Sequence, residues 1–318
     1  MKYPAVTPIL KQHGNSPAGW LARPQVAAIV VAYHPESGAL ARLIQAIENQ
    51  VATVVLVCNS DTDVPESHPN SRCSRTIIRN KVNVGLAAAQ NMALSQCVQL
   101  QVDFVLFLDQ DSIPDADLVE KLLEADQRLV KSGIAVGAVG PLLVDADTGT
   151  TWPYLSAGWF RTRENTRPDS RGVCRTDMLY SSGSLVRLAH FSTVGYFMEP
   201  LFIDHVDLEW CYRASRHGLG FFGVPAIQMK HRMGSGHIRF LGRLHPIHSA
   251  SRDYYVFRNS VILLGLSHIP IRWKMNELVR LLPRSIFYGV VGGSPVRRAW
   301  YCLRGIFSGI SFHLSRFK

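Results

Sequence analysis

Phe104-Val-Leu-Phe-Leu-Asp109-Gln110-Asp111-Ser112-Ile-Pro114 is the stretch on which the fold turns. Five apolar, β-prone residues run straight into two carboxylates one residue apart, and a proline then opens a helix. A strand without polar alternation is buried on both faces, as in a parallel sheet. Ending it in Asp-x-Asp delivers two hard oxygen ligands to the carboxyl edge, where open α/β folds place their ligands. Residues two apart in extended chain leave the same side, so the carboxylates point together. Such a pair suits Mg2+ or Mn2+ shared with a substrate diphosphate, because these ions prefer oxygen and keep positions open for phosphate. Acidic residues also end strands as ordinary turn residues. What favours the metal reading is the place of the pair, at the end of a buried strand in the fourth strand–helix unit.

The flanking chain supplies the other units. Residues 26–32 are almost continuously apolar, and 53–57 and 76–78 read as two further strands. Leu40, Leu43, Ile44 and Ile47 fall at helical spacing, and an Ala-rich helix follows an Asn/Gly turn over 86–97. Leu118, Leu122, Ala125 and Leu129 share a third helical face, with Asp115 as cap and Gly133 as stop, before a strand over 135–144. This alternation implies an α/β fold, a mostly parallel sheet flanked by helices. It stops near Asp145. Residues 150–180 read as a long irregular surface loop, and the chain from Arg252 onward as helical, basic and aromatic. The expected organisation is a loose arm over 1–24, a catalytic domain over 25–260 with halves 25–145 and 146–260, and a helical tail over 261–318.

With 318 residues, 47% hydrophobic and 18% charged, the chain has the composition of a folded protein with one large core. Its net charge of +10 is unevenly placed: residues 230–318 hold 15 Lys and Arg against Asp253 and Glu277 alone. Basic residues there are interleaved with aromatic ones, as in Arg297-Arg298-Ala-Trp300-Tyr301, which favours an anionic membrane surface and disfavours nucleic acid. A basic surface over ordinary core aromatics is the plainer alternative. Six cysteines without regular spacing imply no disulfide framework, hence a reducing cytoplasm. The Pro- and Gly-containing first 24 residues do not read as a signal peptide, and no apolar run reaches membrane-spanning length.

Three further clusters carry chemistry. Asn83-Val-Gly85-Leu-Ala-Ala-Ala-Gln90-Asn91 reads as a tight turn into a helix whose first amides could face a ligand's negative groups, or as an ordinary turn with a satisfied buried amide. Phe202-Ile-Asp204-His-Val-Asp207-Leu-Glu209-Trp210-Cys-Tyr-Arg213 sets three acids among aromatics, which raise a carboxyl pKa and suit a general base. The same acids also fit a helix cap and an intrahelical pair. His231, His237, His245 and His248 match no zinc spacing, and a single His completing the Asp-x-Asp site is more economical.

Taken in order, these segments resemble an inverting, family-2-type glycosyltransferase of the GT-A fold, and within it the bacterial rhamnosyltransferase branch. The matching residues are Val31-Ala-Tyr33-His34-Pro35, Asn83-x-Gly85 with Gln90-Asn91, and Leu108-Asp109-Gln110-Asp111-Ser112. Ser182-Gly183-Ser184, the 202–213 segment, Lys230-His231-Arg-x-Gly234 and Arg252-x-Tyr254-Tyr255-x-x-Arg258-Asn259 continue the series. The resemblance implies that Tyr33 and Pro35 border the donor base, with Asn83, Gly85, Asn91, Asp109 and Gln110 on the donor side. Asp111 and His231 would hold Mg2+ or Mn2+, Asp207 would be the catalytic base, and Gly183, Glu209 and Trp210 would meet the acceptor. Where the family usually has an Asp that accepts the imide N–H of the base, this chain has Cys58, a poor acceptor, with Asn59 or Asp61 as substitutes. The implied reaction moves L-rhamnose from dTDP-L-rhamnose to a polyprenyl-diphosphate-linked glycan for cell-surface polysaccharide. Its expected place is the cytoplasmic face of the bacterial membrane, held there by the tail. Rivals are a UDP-sugar donor (galactofuranosyl, glucosyl or N-acetylhexosaminyl) and a nucleotidyltransferase, for which Tyr33-His34-Pro35-Glu36 offers no phosphate loop. A non-catalytic protein on the same fold is a third, against which Asp111, Asp207 and His231 speak.

Overall fold

The computed structural model describes residues 24–66, 71–159, 161–232, 237–240, 243–246, 248–291 and 293–315. Most of the expected N-terminal arm (1–23), Gly234 and the side chains of His237, Arg239 and His245 lie outside the described residues. The first half runs β1 (Val26–Ala32), α1 (Ala39–Ile47), β2 (Thr53–Cys58), β3 (Ser74–Arg79), α2 (Leu86–Gln99), β4 (Phe104–Asp109), α3 (Leu118–Lys131) and β5 (Val136–Asp145). Parallel pairing joins β3, β2, β1 and β4 in that order. Alternate residues explain why these strands lack polar positions. Ala27, Ile29, Val55, Val57, Val105 and Phe107 pack with Ala87, Ala89, Ala93 and Leu94 of α2. Val26, Ala28, Val30, Leu56, Cys58, Leu106 and Leu108 pack against Leu40, Leu43, Ile44 of α1 and Leu118, Leu122 of α3.

The second half runs β6 (Thr151–Trp152), β7 (Tyr154–Ala157), β8 (Thr162–Asn165), β9 (Cys174–Thr176), β10 (Leu185–Arg187), α4 (His190–Val194), α5 (Val206–Arg216), β11 (Gly220–His231), β12 (His237–Phe240) and β13 (Arg243–Pro246). The segment expected as one irregular loop over 150–180 thus holds short strands. β7 and β8 form a hairpin, β6 pairs with β5, and β9 lies antiparallel on β11. The sheet is mostly parallel, as expected, with short antiparallel strands inserted in its second half. The three-residue β10 enters antiparallel between β4 and β5, and β11 then runs parallel to β5.

Three helices close the chain: α6 (Ala250–Leu264), α7 (Ile271–Val291) and α8 (Pro295–Leu314). α6 crosses residue 260, where the tail was expected to begin. It runs beside α8 in the same direction, with Asp253 bound to Arg298 at 2.7 Å near both starts and His313 hydrogen-bonded to Val261 and Ile262 near both ends. The crossing is tight because Gly305 and Gly309 face α6. A Cβ on Gly305 would stand 2.5 Å from the Tyr254 carbonyl oxygen, and one on Gly309 2.7 Å from the Val261 Cβ. Among the described residues no helix is long and apolar enough to cross a membrane.

Candidate active site

The carboxyl edge of β4 meets the end of β11. The Ile113 N–H donates to the Lys230 carbonyl at 2.9 Å, which brings His231 over the turn carrying Asp109 and Asp111. His231 is 6% exposed; its Nδ1 lies 3.3 Å from Asp111 Oδ1 and its Nε2 3.5 Å from Asp109 Oδ2. Burial disfavours a charged imidazole, but Asp111, Asp109 and Asp145 outweigh it and raise the His231 pKa. Asp109 is raised too, by burial first and then by Asp111, against the pull of His231 and Arg252. The buried Nδ1 of His231 has Asp111 as its polar neighbour, at 3.3 Å. A buried imidazole between two carboxylates fits a divalent cation. No group of three His, Cys, Asp or Glu converges as a ready cage among the described residues. Asp111 and His231 are instead a partial oxygen–nitrogen set of the kind a substrate diphosphate completes.

One turn, residues 181–184, joins this edge to α5. Ser182 Oγ is 2.6 Å from Ser112 Oγ and accepts from the Asp109 N–H at 3.4 Å, while the Gly183 N–H donates to the Phe107 carbonyl at 2.8 Å. From the same turn the Ser181 N–H donates to Asp207 Oδ2 at 3.2 Å, and the Leu208 N–H donates to Oδ1 at 2.8 Å. Residues almost a hundred positions apart therefore meet at one turn. Burial pushes the Asp207 carboxyl up to about 6, with Asp109 and Asp204 adding to it and the two backbone N–H groups restraining it.

The loop before α5 is held from α6. Phe202, Asp204 and His205 adopt left-handed φ of 65°, 64° and 60°, a conformation that costs non-glycine residues energy and needs outside support. Asn259 gives that support: its side-chain amide lies 2.7–2.9 Å from the carbonyls of Leu201, Ile203 and Asp204. Arg252 grips Asp204 (Nη2–Oδ1 2.8 Å, Nε–Oδ2 3.0 Å), and Arg258 donates to the Leu201 carbonyl at 2.9 Å. Tyr255 stacks on Phe202 at 4.8 Å. The Phe202 carbonyl in turn accepts from the Leu86 and Ala87 N–H groups at 2.6 and 3.2 Å, occupying the start of α2.

Residues 28–187 match the Glycosyl transferase family 2 model. The chain belongs to that family. Over 262 residues it is 30% identical to the dTDP-rhamnosyl transferase RfbF of Shigella flexneri, covering 79% of this chain and 84% of the relative. Among solved structures it is similar to S. aureus TarS 1–349 in complex with UDP-GlcNAc, at TM-score 0.56 and 16% identity over 90% of this chain and 80% of that one. The mannosyltransferase PcManGT from Pyrobaculum calidifontis, in complex with GDP-Man and Mn2+, gives TM-score 0.54 and 16% identity over 91% and 74%. At that identity these two speak for the GT-A fold. The family match and the RfbF likeness make the chain a glycosyltransferase.

In this glycosyltransferase the expected site residues divide. Tyr33 stands 48% exposed at the cleft lip, where Gln110 holds its backbone by two hydrogen bonds (2.7 and 3.2 Å). Pro35 and Asp61 line an open cavity of about 660 Å³. Asn83 accepts from the Gly85 N–H at 2.9 Å as a turn residue. Asn59 is buried, donating to the Gly85 carbonyl at 3.2 Å and accepting from Asn80 at 2.8 Å. Asn91, also buried, bonds both backbone groups of Phe197 at 2.9 Å. These amides brace the fold where donor contacts were expected. Gly85 has no room for a Cβ, which would stand 2.5 Å from the Phe202 ring, and Gly183 none because of Pro141 at 2.7 Å; both glycines serve packing.

The acceptor contacts expected of Glu209 and Trp210 are likewise corrected by burial. Glu209 is enclosed by Arg213 (2.9 Å) and His268 (2.8 Å), and its pKa is lowered because those partners outweigh its desolvation. Trp210 is 3% exposed, donates to the Gly195 carbonyl at 2.9 Å and stacks on Phe191. Cys58 lies in the core under α1, where burial raises its thiol pKa. Of the two substitutes for the missing carboxylate, Asp61 faces the cavity and Asn59 is occupied. The structure adds residues that sequence reading missed: Arg252 beside Asp204 and Asp109, the Ser112–Ser182 pair, and Tyr180, whose phenol is pushed up to about 12 by burial and then Asp207. Arg252 stood in a quoted motif, but helical spacing alone gives no hint of what it grips.

Proposed function

We propose that the enzyme transfers L-rhamnose from dTDP-L-rhamnose to a hydroxyl of a polyprenyl-diphosphate-linked glycan, with inversion at the anomeric carbon. The observation that supports the chemistry is the 181–184 turn, which hydrogen-bonds Asp207 on one side and Asp109 and Ser112 on the other. The likeness to RfbF carries the donor. Asp207 accepts the acceptor hydroxyl's proton as the oxygen bonds to the anomeric carbon, and the bond from that carbon to the diphosphate oxygen breaks to release dTDP. With a pKa of about 6, Asp207 is ionised at neutral pH yet basic enough to take a proton. A divalent cation held by Asp111 and His231 would supply neutralisation of the charge on the departing diphosphate. Asp61, beside Pro35, would accept the imide N–H of thymine in place of the missing carboxylate. The basic tail would keep the enzyme at the inner face of the membrane.

A donor panel tests the reading. Purified enzyme, a short polyprenyl-diphosphate glycan and Mg2+ are given dTDP-rhamnose, UDP-galactofuranose, UDP-glucose or UDP-GlcNAc. Rhamnosyl product from the first alone is expected, and loss of product on chelation. Turnover with a UDP-sugar and none with dTDP-rhamnose would overturn the donor assignment. Transfer unaffected by chelation would overturn the metal.

A further inference from the structure

α8 is apolar on the side that faces away from the protein. Arg298, Cys302, Gly305 and Gly309 form its buried face against α6. Val296, Trp300, Leu303, Phe307, Ile310 and Leu314 are all exposed, Trp300 at 62% and Phe307 at 68%. Their steps alternate between four and three residues, so at 100° per residue they form one stripe opposite the buried face. A surface helix of a protein that meets only water carries polar residues there. α7 repeats the pattern with Ile271, Met275, Leu278 and Ile286 exposed.

Charge identifies the occupant. Arg297 and Arg304 flank the α8 stripe on one side, and Lys274 lies on α7. Across both helices the single acid is Glu277, which is buried and paired with Arg284 at 2.7 Å. Residues 295–314 hold no acid, so α8 of a second copy pressed against this stripe would set Arg297 and Arg304 against like charge. A bilayer of anionic lipid answers both features, taking the stripe below its headgroups and the arginines at its phosphates. We infer that the outward face of α8 is a lipid-docking face, on which the helix lies flat on an anionic membrane. The inference gives the proposed membrane-bound acceptor a place, resting on that reading for its purpose and on the stripe for its binding. Arg298 at the start of α8 also donates to the His248 carbonyl at 2.9 Å, four residues before Arg252 grips Asp204. The start of α8 is thereby tied through residues 248–252 to the loop that precedes α5.

The test is co-sedimentation of the full chain with phosphatidylglycerol–phosphatidylcholine vesicles, compared with phosphatidylcholine alone. The double variant Trp300→Glu/Phe307→Glu should lower the vesicle-bound fraction at least about tenfold while keeping the wild-type melting temperature. Arg297→Gln/Arg304→Gln should lower it severalfold and flatten its dependence on salt, and stands in if the first variant melts early. Pelleting of both variants like wild type would overturn the proposal. So would a wild-type chain that ignores anionic vesicles and runs as a dimer that Trp300→Glu/Phe307→Glu splits. Failure of the donor panel with vesicle binding intact would sink the sugar assignment and leave this face standing.

Discussion

The cleft edge and the layer behind it draw on the same short segments and treat their polar groups in opposite ways. Asp207 and Glu209 both occupy the first turn of α5. Asp207 points to the cleft, accepts two backbone N–H groups, and has its pKa raised to about 6 by burial. Glu209 points inward to Arg213 and His268, and its pKa falls despite burial because those partners prevail. A carboxylate without a cationic partner keeps its affinity for a proton and is available for chemistry; one already neutralised is fixed as structure. Asn91 and Asn259 repeat the lesson of Glu209.

The contrast breaks or sharpens under substitution. Asp207→Asn should lower turnover by about 10²–10⁴ with donor affinity intact, because proton transfer alone is lost. Near-normal turnover would remove Asp207 from the base role. Glu209→Ala should do the reverse, costing about 3–5 kcal/mol in urea unfolding by stranding Arg213 and His268, with the folded fraction turning over normally. A turnover loss larger than the stability loss would erase the division between edge and brace. Asp111→Ala should weaken metal-dependent donor binding about 10–100-fold in calorimetry and make it insensitive to chelator.

The smallest effect is on stability against pH. The Asp207 pKa rises from 3.8 to about 6 on folding, so ionising it costs stability as pH climbs through that window. Asp207→Asn should therefore be more stable than wild type by on the order of 1 kcal/mol above about pH 7, with the gap closing below about pH 4. The same titration should make wild-type turnover fall as pH drops below about 6.

β1, β2, β4 and β5 were legible because burial on both faces removes polar residues from a strand altogether. β10 was not, since three residues carry no period and its place between β4 and β5 comes from long-range pairing. Asp109, Asp111, Asp207 and His231 stood out as polar groups at strand ends or on an aromatic helix start; His231 meets both β4 carboxylates, and the 181–184 turn bonds Asp109 and Asp207. Trp210 and Glu209 were misread as acceptor contacts. Helical period would have set Val206, Glu209, Trp210 and Arg213 on one face, with Glu209–Arg213 as an i,i+4 pair, but it could not say that the face was the inner one. Asn59, Gly85, Asn91 and Gly183 belong to the same difficulty. Tight packing and ligand contact ask for the same residue types, and partners from about twenty to more than a hundred positions away decide between them.

The hold of Asn259 on three carbonyls of the left-handed loop before α5 has a practical consequence for anyone re-engineering this enzyme. The C-terminal helices are not a modular anchor that can be swapped or trimmed at residue 260. A chimera joined there would sever α6 one residue past Asn259, strip away the Arg298 partner of Asp253, and release the backbone that aims Asp207. Retargeting the enzyme calls for resurfacing α8 in place.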